Sequence, residues 1–181
     1  MGALLDRKYV DSAVFAIANL IKQGYDVYFD IVGDGAEKDK IAEAIRKSNT
    51  TDRIIMHGAK HGDDVKAFFE RDDVFLLPGT GGLAINEAMA YSMSIISTVG
   101  DDTVVDLIDG NGFLLDNFGD KEEIEITLKR FLDLTEAEKE SMAKKSEQIV
   151  KGRASLENMA KQHVKAIVHV LEKYYRSLQL K

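Results

Sequence analysis

The sequence predicts an α/β fold built on a Rossmann-like, doubly wound parallel sheet, and three observations predict it. Short runs of β-branched and aromatic residues alternate with stretches of helical periodicity. The runs are apolar without strict alternation, as strands covered on both faces require. Glycine clusters stand where strands hand over to helices, the place where open α/β sheets hold ligands.

The elements follow in order. Tyr25 to Val32 reads as a strand and stops at Gly33-Asp34-Gly35. Glu37 to Arg46 carries Ile41, Ala42, Ala44 and Ile45 on one helical face. Arg53 to Met56 is a strand ending at His57-Gly58, and Asp63 to Arg71 a short helix with Val65 and Phe68 or Phe69 inward. Asp73 to Leu77 is an apolar strand stopped by Pro78, the only proline. Gly79-Thr80-Gly81-Gly82 then leads into a helix from Leu83 to Tyr91. Ser94 to Thr98 and Gly112 to Leu115 complete the strands, the latter after an Asp109-Gly110 turn.

Beyond Lys121 the pattern becomes helical. Glu122 to Leu134 is one helix, and Thr135 to Glu138 is a capping-box start for the next. Ser155 to Tyr175 carries Leu156, Met159, Ala160, Val164, Ile167, Val168 and Leu171, read as a cover helix over the sheet. With no linker or repeat, residues 1–181 are expected to form one domain, a sheet core over 1–116 and a helical tail over 117–181.

Composition limits the function. The net charge is -7, from 24 basic and 31 acidic residues, which argues against nucleic acid as a partner. No apolar run is long enough for a transmembrane segment, and Met1 to Lys8 is no apolar signal. There is no cysteine, hence no disulfide and no thiolate chemistry. Without a carboxylate-rich motif or a histidine cluster, no metal is expected, and no cofactor. The expected setting is cytoplasmic.

Two glycine stretches compete for the ligand. Gly33-Asp34-Gly35-Ala36-Glu37-Lys38 begins like a dinucleotide fingerprint, but Lys38 stands where the third glycine belongs, and the stretch follows what reads as the second strand. A plain strand-to-helix turn is the better reading, and a nicotinamide-dependent oxidoreductase is disfavoured. Gly79, Gly81 and Gly82 directly follow a buried strand and precede a helix, so free amides can approach an anion such as pyrophosphate. Glu87, about one turn inside that helix, can accept two hydrogen bonds from a ribose diol, while Ala88, Met89 and Ala90 supply the packing. The backbone of His57 and Gly58 lies where a base pocket could form.

Pro78 to Ser97 (Pro-Gly-Thr-Gly-Gly-Leu-Ala-Ile-Asn-Glu-Ala-Met-Ala-Tyr-Ser-Met-Ser-Ile-Ile-Ser) resembles the signature of the group 1 retaining glycosyltransferases. The similarity extends to Ile31 to Gly35, Ile55 to Gly58, Asp106 to Phe113, and Gly2 to Asp11 at the front. The ordered set, over residues 2 to 116, is what carries it. The resemblance implies half of a GT-B fold, the donor-binding C-terminal domain, with the N-terminal acceptor domain of the same enzyme as its partner. Any peripheral contact with a membrane would be made through that other half.

The resemblance assigns roles residue by residue. Lys8 matches the lysine that neutralises the donor diphosphate, Gly82 and Leu83 the loop whose amides meet phosphate, and Glu87 the glutamate that holds the ribose. Gly58 and Ala59 match the base-contacting loop, and Gly79, Thr80 and Gly81 complete the donor loop. The implied ligand is a nucleoside-diphosphate sugar, foremost a UDP-sugar, with a hexose transferred to an acceptor.

Two positions depart from the pattern. Gly79 stands where the first glutamate of a Glu-x7-Glu pair belongs, and Ala3 where a phosphate-binding arginine belongs, with Arg7 next to Lys8 as a substitute. They leave open a non-catalytic, degenerate domain that supports a partner protein. A different GT-B enzyme, such as a sugar-nucleotide epimerase, shares the same donor site.

Overall fold

The computed structural model describes residues 1–100, 103–152 and 154–179. A short 3₁₀ turn, Asp6–Lys8, precedes α1 (Val10–Lys22). Then follow β1 (Phe29–Val32), α2 (Lys38–Ser48), β2 (Ile54–Gly58), α3 (Asp63–Arg71), β3 (Val74–Leu77) and α4 (Leu83–Ala90). β4 (Ser94–Thr98), α5 (Thr103–Leu107), β5 (Gly112–Leu115), α6 (Lys121–Leu132), α7 (Glu136–Lys151) and α8 (Leu156–Gln179) complete the order.

All strand pairings are parallel, as the unbroken apolar runs imply. β1 pairs with β2, from Phe29 opposite Ile54 to Val32 opposite Gly58. β4 lies between β3 and β5, with Ile95 opposite both Phe75 and Gly112. No pairing joins β1 to β3, so the strands form one sheet of two and one of three. A shared core spans both: Ile31 and Ile54 of the first and Ile96 and Leu115 of the second pack with Val14, Ile17 and Leu20 of α1. β4 is buried at all five residues, and full burial of each isoleucine there contributes about 1.5–3 kcal/mol.

Helix α1 was not legible in the sequence. Ser12, Ala13, Val14, Ala16, Ile17, Ala18 and Leu20 are all buried, because α2 and α6 flank the helix on its other sides. A helix covered nearly all round shows no polar face from which to read its period. The strand expected from Tyr25 begins only at Phe29, where β2 supplies a partner; before it, the Tyr25 N–H donates to Leu20 O at 3.1 Å and closes α1. No strand precedes Phe29 among the described residues, so Gly33 follows the first strand and not the second.

The tail divides. Asp120 caps α6 through the N–H groups of Glu122 and Glu123, and α6 packs on α1. The expected capping box is present at α7: the Thr135 N–H donates to Glu138 Oε2 at 2.8 Å, and the Glu138 N–H to Thr135 Oγ1 at 3.3 Å. A buried polar chain pins α7 to the sheet, as Asn111 Nδ2 donates to Ser146 Oγ and Ser146 Oγ donates to Met93 O at 2.6 Å. Helix α8 does not cover the sheet. Leu156, Met159, Val164, Ile167, Val168 and Leu171 are 46–77% exposed, so its apolar stripe has helical period but lies against no other element of the described chain.

Candidate functional site

The loops at the carboxyl ends of β1 and β3 are both shaped by one segment, Gly2 to Lys8. The Gly2 N–H donates to Val32 O and the Leu4 N–H to Asp34 O, each at 2.9 Å. On its far side the Thr80 N–H donates to Arg7 O at 3.0 Å. A side chain on Gly33 would overlap Gly2 O, one on Gly35 the Leu4 backbone, and one on Gly79 Arg7 O with Lys8 Cα at 2.6 Å. Gly81 differs, because a side chain there would overlap Lys8 Nζ. The Lys8 ammonium therefore rests on Gly81, at the entrance to α4.

That entrance is suited to an anion. Gly82 occupies the N-cap of α4 and offers no capping side chain. The N–H groups of Gly81, Gly82 and Leu83 have no acceptor among the described residues, whereas Thr80 spends its own on Arg7. Three unsatisfied donors at the positive end of a helix, with an ammonium beside them, make a ready phosphate cradle. The Thr80 hydroxyl is buried there without a partner, at an energetic cost that a bound polar group would relieve.

Beside this cradle opens a cleft of about 400 Å³, within the range of small-ligand sites. Glu87 and Ala84 of α4 form one wall, and Ala59, Lys60 and His61 after β2 another. Gly2, Ala3, Gly33 and Asp34 line it as well. The structure thus brings Glu87 and Ala59 to one cleft. Lys8, Gly79, Thr80, Gly81, Gly82 and Leu83 do not line it; Gly79 to Gly82 form the adjoining loop, Leu83 opens α4, and Lys8 ends the 3₁₀ turn, its side chain reaching Gly81. Glu87 is exposed, while Ala88 and Met89 beneath it are fully buried; Ala90, expected to pack with them, is exposed.

Other expected residues fall differently. Gly58 has a φ of 69° and its carbonyl accepts from the Gly33 N–H at 2.8 Å, so it splices the two loops and does not line the cleft. The His57 side chain bonds Asp30 and lies against Phe68, beneath the site. The Arg7 side chain is exposed, with its carbonyl committed to Thr80. Residues that sequence reasoning missed are Lys60, His61 and the Asp34 side chain. Lys38 and the Gly35 N–H hold the Asp34 carboxyl below the usual carboxylate range, so it stays ionised at the rim. The signal for Asp34 was the glycine pair around it, set aside as a plain turn. Among the described residues no group of side chains could hold a metal ion, and no helix is long and apolar enough to cross a membrane.

The family model of the group 1 glycosyl transferases matches residues 1–149. A 2-deoxystreptamine glucosyltransferase from Streptomyces kanamyceticus is 31% identical over 139 residues, 74% of this chain and 35% of that protein. The chain spans about a third of the length of this curated relative. Among solved structures, the C-terminal domain of a group 1 family protein (LpcC) from Francisella tularensis superposes with a TM-score of 0.76 at 16% identity, over 86% of this chain and 84% of that one. Anabaena HepE in complex with UDP gives 0.78 at 19% identity, over 93% of this chain and 48% of that one, and it is also known with UDP-glucose.

Proposed function

We propose a function from the premise that this chain belongs to the group 1 glycosyltransferases: it is the half that binds the sugar donor, a nucleoside-diphosphate sugar. The observation that carries this reading is the seating of Lys8 on Gly81, at the entrance to α4 and beside the cleft that holds Glu87. A diphosphate laid on the N–H groups of Gly81, Gly82 and Leu83 would meet Lys8 as its counter-ion. Its ribose would then lie toward Glu87, whose carboxylate can accept from both hydroxyls, and its base toward Ala59. UDP is the first nucleotide to test, since Anabaena HepE is known with UDP and UDP-glucose.

In the transfer step, charge develops on the departing diphosphate. Lys8 and the positive end of α4 are fixed where that charge appears, and preorganised donors of this kind act on the transition state more than on the ground state. No carboxylate approaches the sugar from position 79. The sugar must be held by other residues or by an N-terminal acceptor half of a longer enzyme, which we propose as the partner across the cleft. The isolated chain then binds donor without transferring it.

Titration calorimetry with UDP and UMP tests this. The diphosphate should bind at least about tenfold more tightly, the worth of one charge-assisted hydrogen bond. Equal affinities would remove the phosphate role of Lys8 and the α4 entrance. No binding of any nucleoside diphosphate to the folded chain would favour a degenerate domain that supports a partner.

A further inference from the structure

Lys8 reaches the α4 entrance from a chain that reverses immediately after it. Tyr9 closes the 3₁₀ turn and caps α1 with a φ of 50° and a ψ of 36°. Its N–H donates to Asp6 O at 3.0 Å, and its carbonyl accepts from the Ala13 N–H at 3.3 Å. A bulky residue rarely adopts this left-handed backbone, and keeps it only where its surroundings dictate it. Asn49 and Ser92 share the positive φ, but both are small, and Asn49 is a helix C-cap of the usual kind. Tyr9 is the bulky exception.

What dictates its backbone is the loop between β5 and α6. The Tyr9 ring stacks on Phe118, with 6.2 Å between centroids and 27° between planes. A side chain on Gly119 would come within 2.4 Å of Tyr9 Cδ1. That loop is stiff, because Glu123 of α6 accepts from the N–H groups of Asp116 and Asn117 at 2.6 and 3.0 Å. It also grips the loop after β3, where the Gly119 N–H donates to Pro78 O at 3.0 Å. Gly79, next to Pro78, lies in turn against Lys8 Cα. The contacts close a circuit: Tyr9 to Gly119, Gly119 to Pro78, Gly79 to Lys8, and Lys8 back to Tyr9 through one peptide bond. The Tyr9 hydroxyl makes no hydrogen bond among the described residues, so the ring is what the circuit uses.

We propose that Tyr9 is a positioning residue for Lys8: its ring, lodged against Phe118 and Gly119, fixes the reversed backbone that keeps the ammonium on Gly81. Two adjacent side chains thereby reach two loops, Lys8 the one after β3 and Tyr9 the one after β5. The second loop takes part in diphosphate binding through Lys8. The use of that ammonium rests on the donor reading, whereas its seating can be measured with no ligand present.

The test acetylates the 181-residue chain with limiting acetic anhydride. Mass spectrometry of its peptides follows Lys8 against Lys47, an exposed lysine of α2. Tyr9→Phe keeps the ring and should leave the ratio of Lys8 to Lys47 unchanged. Tyr9→Asn tolerates the left-handed backbone without a ring, and should raise the ratio about threefold or more as the amine is released. Phe118→Ala, at an exposed position remote from Lys8 in sequence, should raise it too, and decides alone if Tyr9→Asn does not fold. An unchanged ratio in either folded variant overturns the proposal. So does a Tyr9→Phe chain that behaves like Tyr9→Asn, or a rise at Lys47 equal to that at Lys8, which would report general loosening.

Calorimetry then scores the donor reading separately. In Tyr9→Asn the preference for UDP over UMP should shrink from about tenfold to about twofold. In a Lys8→Met background Tyr9→Asn should change the preference no further, since it acts through the lysine; a further loss there overturns the proposal. Raised acetylation of Lys8 with the preference intact supports the seating and overturns the phosphate role of Lys8.

Discussion

Gly33-Asp34-Gly35 after β1 and Gly79-Thr80-Gly81 after β3 are matching turns at the carboxyl ends of strands in the two sheets, yet their glycines answer to different neighbours. At Gly33, Gly35 and Gly79 the missing side chain makes room for backbone, the Gly2 to Lys8 segment that threads between the loops. At Gly81 it makes room for the end of a flexible side chain, the Lys8 ammonium. A glycine cluster at a strand end therefore need not mark a ligand. Three of these four glycines serve the architecture and one faces the proposed anion site. The sequence favours a turn for the first stretch and a ligand for the second, and each contains something of the other.

The contrast can be broken most directly at Gly33 and Gly79. Gly33→Ala sets a side chain against Gly2 O at a φ of 151°. Neither the backbone neighbour nor the φ can yield cheaply, so a loss of about 3 kcal/mol or more is expected in urea unfolding. Gly79→Glu should cost as much, since its Cβ meets Arg7 O and the Lys8 backbone. Restoring the carboxylate of the Glu-x7-Glu pattern at this position therefore displaces the very segment that carries Lys8. A Gly79→Glu chain of unchanged stability that binds UDP-sugar more tightly than UDP would show that the threading segment is more pliable than its hydrogen bonds imply.

Gly81→Ala sharpens the comparison from the other side. Its φ of 152° disfavours a side chain, but the neighbour is the tip of a lysine that can swing away. The expected stability loss is about 1 kcal/mol, well below that at Gly33. The larger effect should fall on the preference for UDP over UMP, because Lys8 can no longer rest on the loop. A stability loss equal to that of Gly33→Ala would place Gly81 with the architectural glycines.

The same loops show what the sequence could and could not disclose. β2 to β5 and helices α2, α3, α4, α6 and α7 follow from apolar runs, turn residues and the Thr135–Glu138 box, which are local signals. Helix α1 escaped because Ser12 to Ala18 is buried on nearly every side, and its cover comes from α2 and α6, remote in sequence. The burial of α8 was inferred from its stripe, but a stripe states which face would be buried and not whether anything lies against it. Glu87 and the α4 loop could be reasoned from strand, glycines and helix. Lys8 could not, since the chain that brings it to Gly81 is irregular, and only the resemblance pointed to it. The Asp30–His57–Arg71 cluster is also a product of tertiary contact, between β1, β2 and the end of α3.

Glu87 carries the smallest stability effect and the cleanest ligand effect. Its carboxylate is exposed at the cleft, while Ala88 and Met89, fully buried, hold α4 to β4 and α7. It makes no hydrogen bond or ion pair among the described residues, and its charge is the smallest of four influences on the Met1 amino group, so Glu87→Ala removes little that the unliganded fold uses. Alanine also favours the helix slightly. The melting temperature should therefore stay within about a degree, which corresponds to a few tenths of a kcal/mol for a chain of this size. UDP affinity should fall by about tenfold or more, the loss of charge-assisted bonds to a ribose diol. The nucleotide's sugar separates ribose recognition from mere loss of charge near the site. Against 2′-deoxy-UDP, which offers one hydroxyl fewer, the wild-type chain should lose affinity and Glu87→Ala should lose little more. Equal losses in both chains would mean that Glu87 does not hold the ribose, and the nucleotide would then lie elsewhere in the cleft, toward Lys60 and His61.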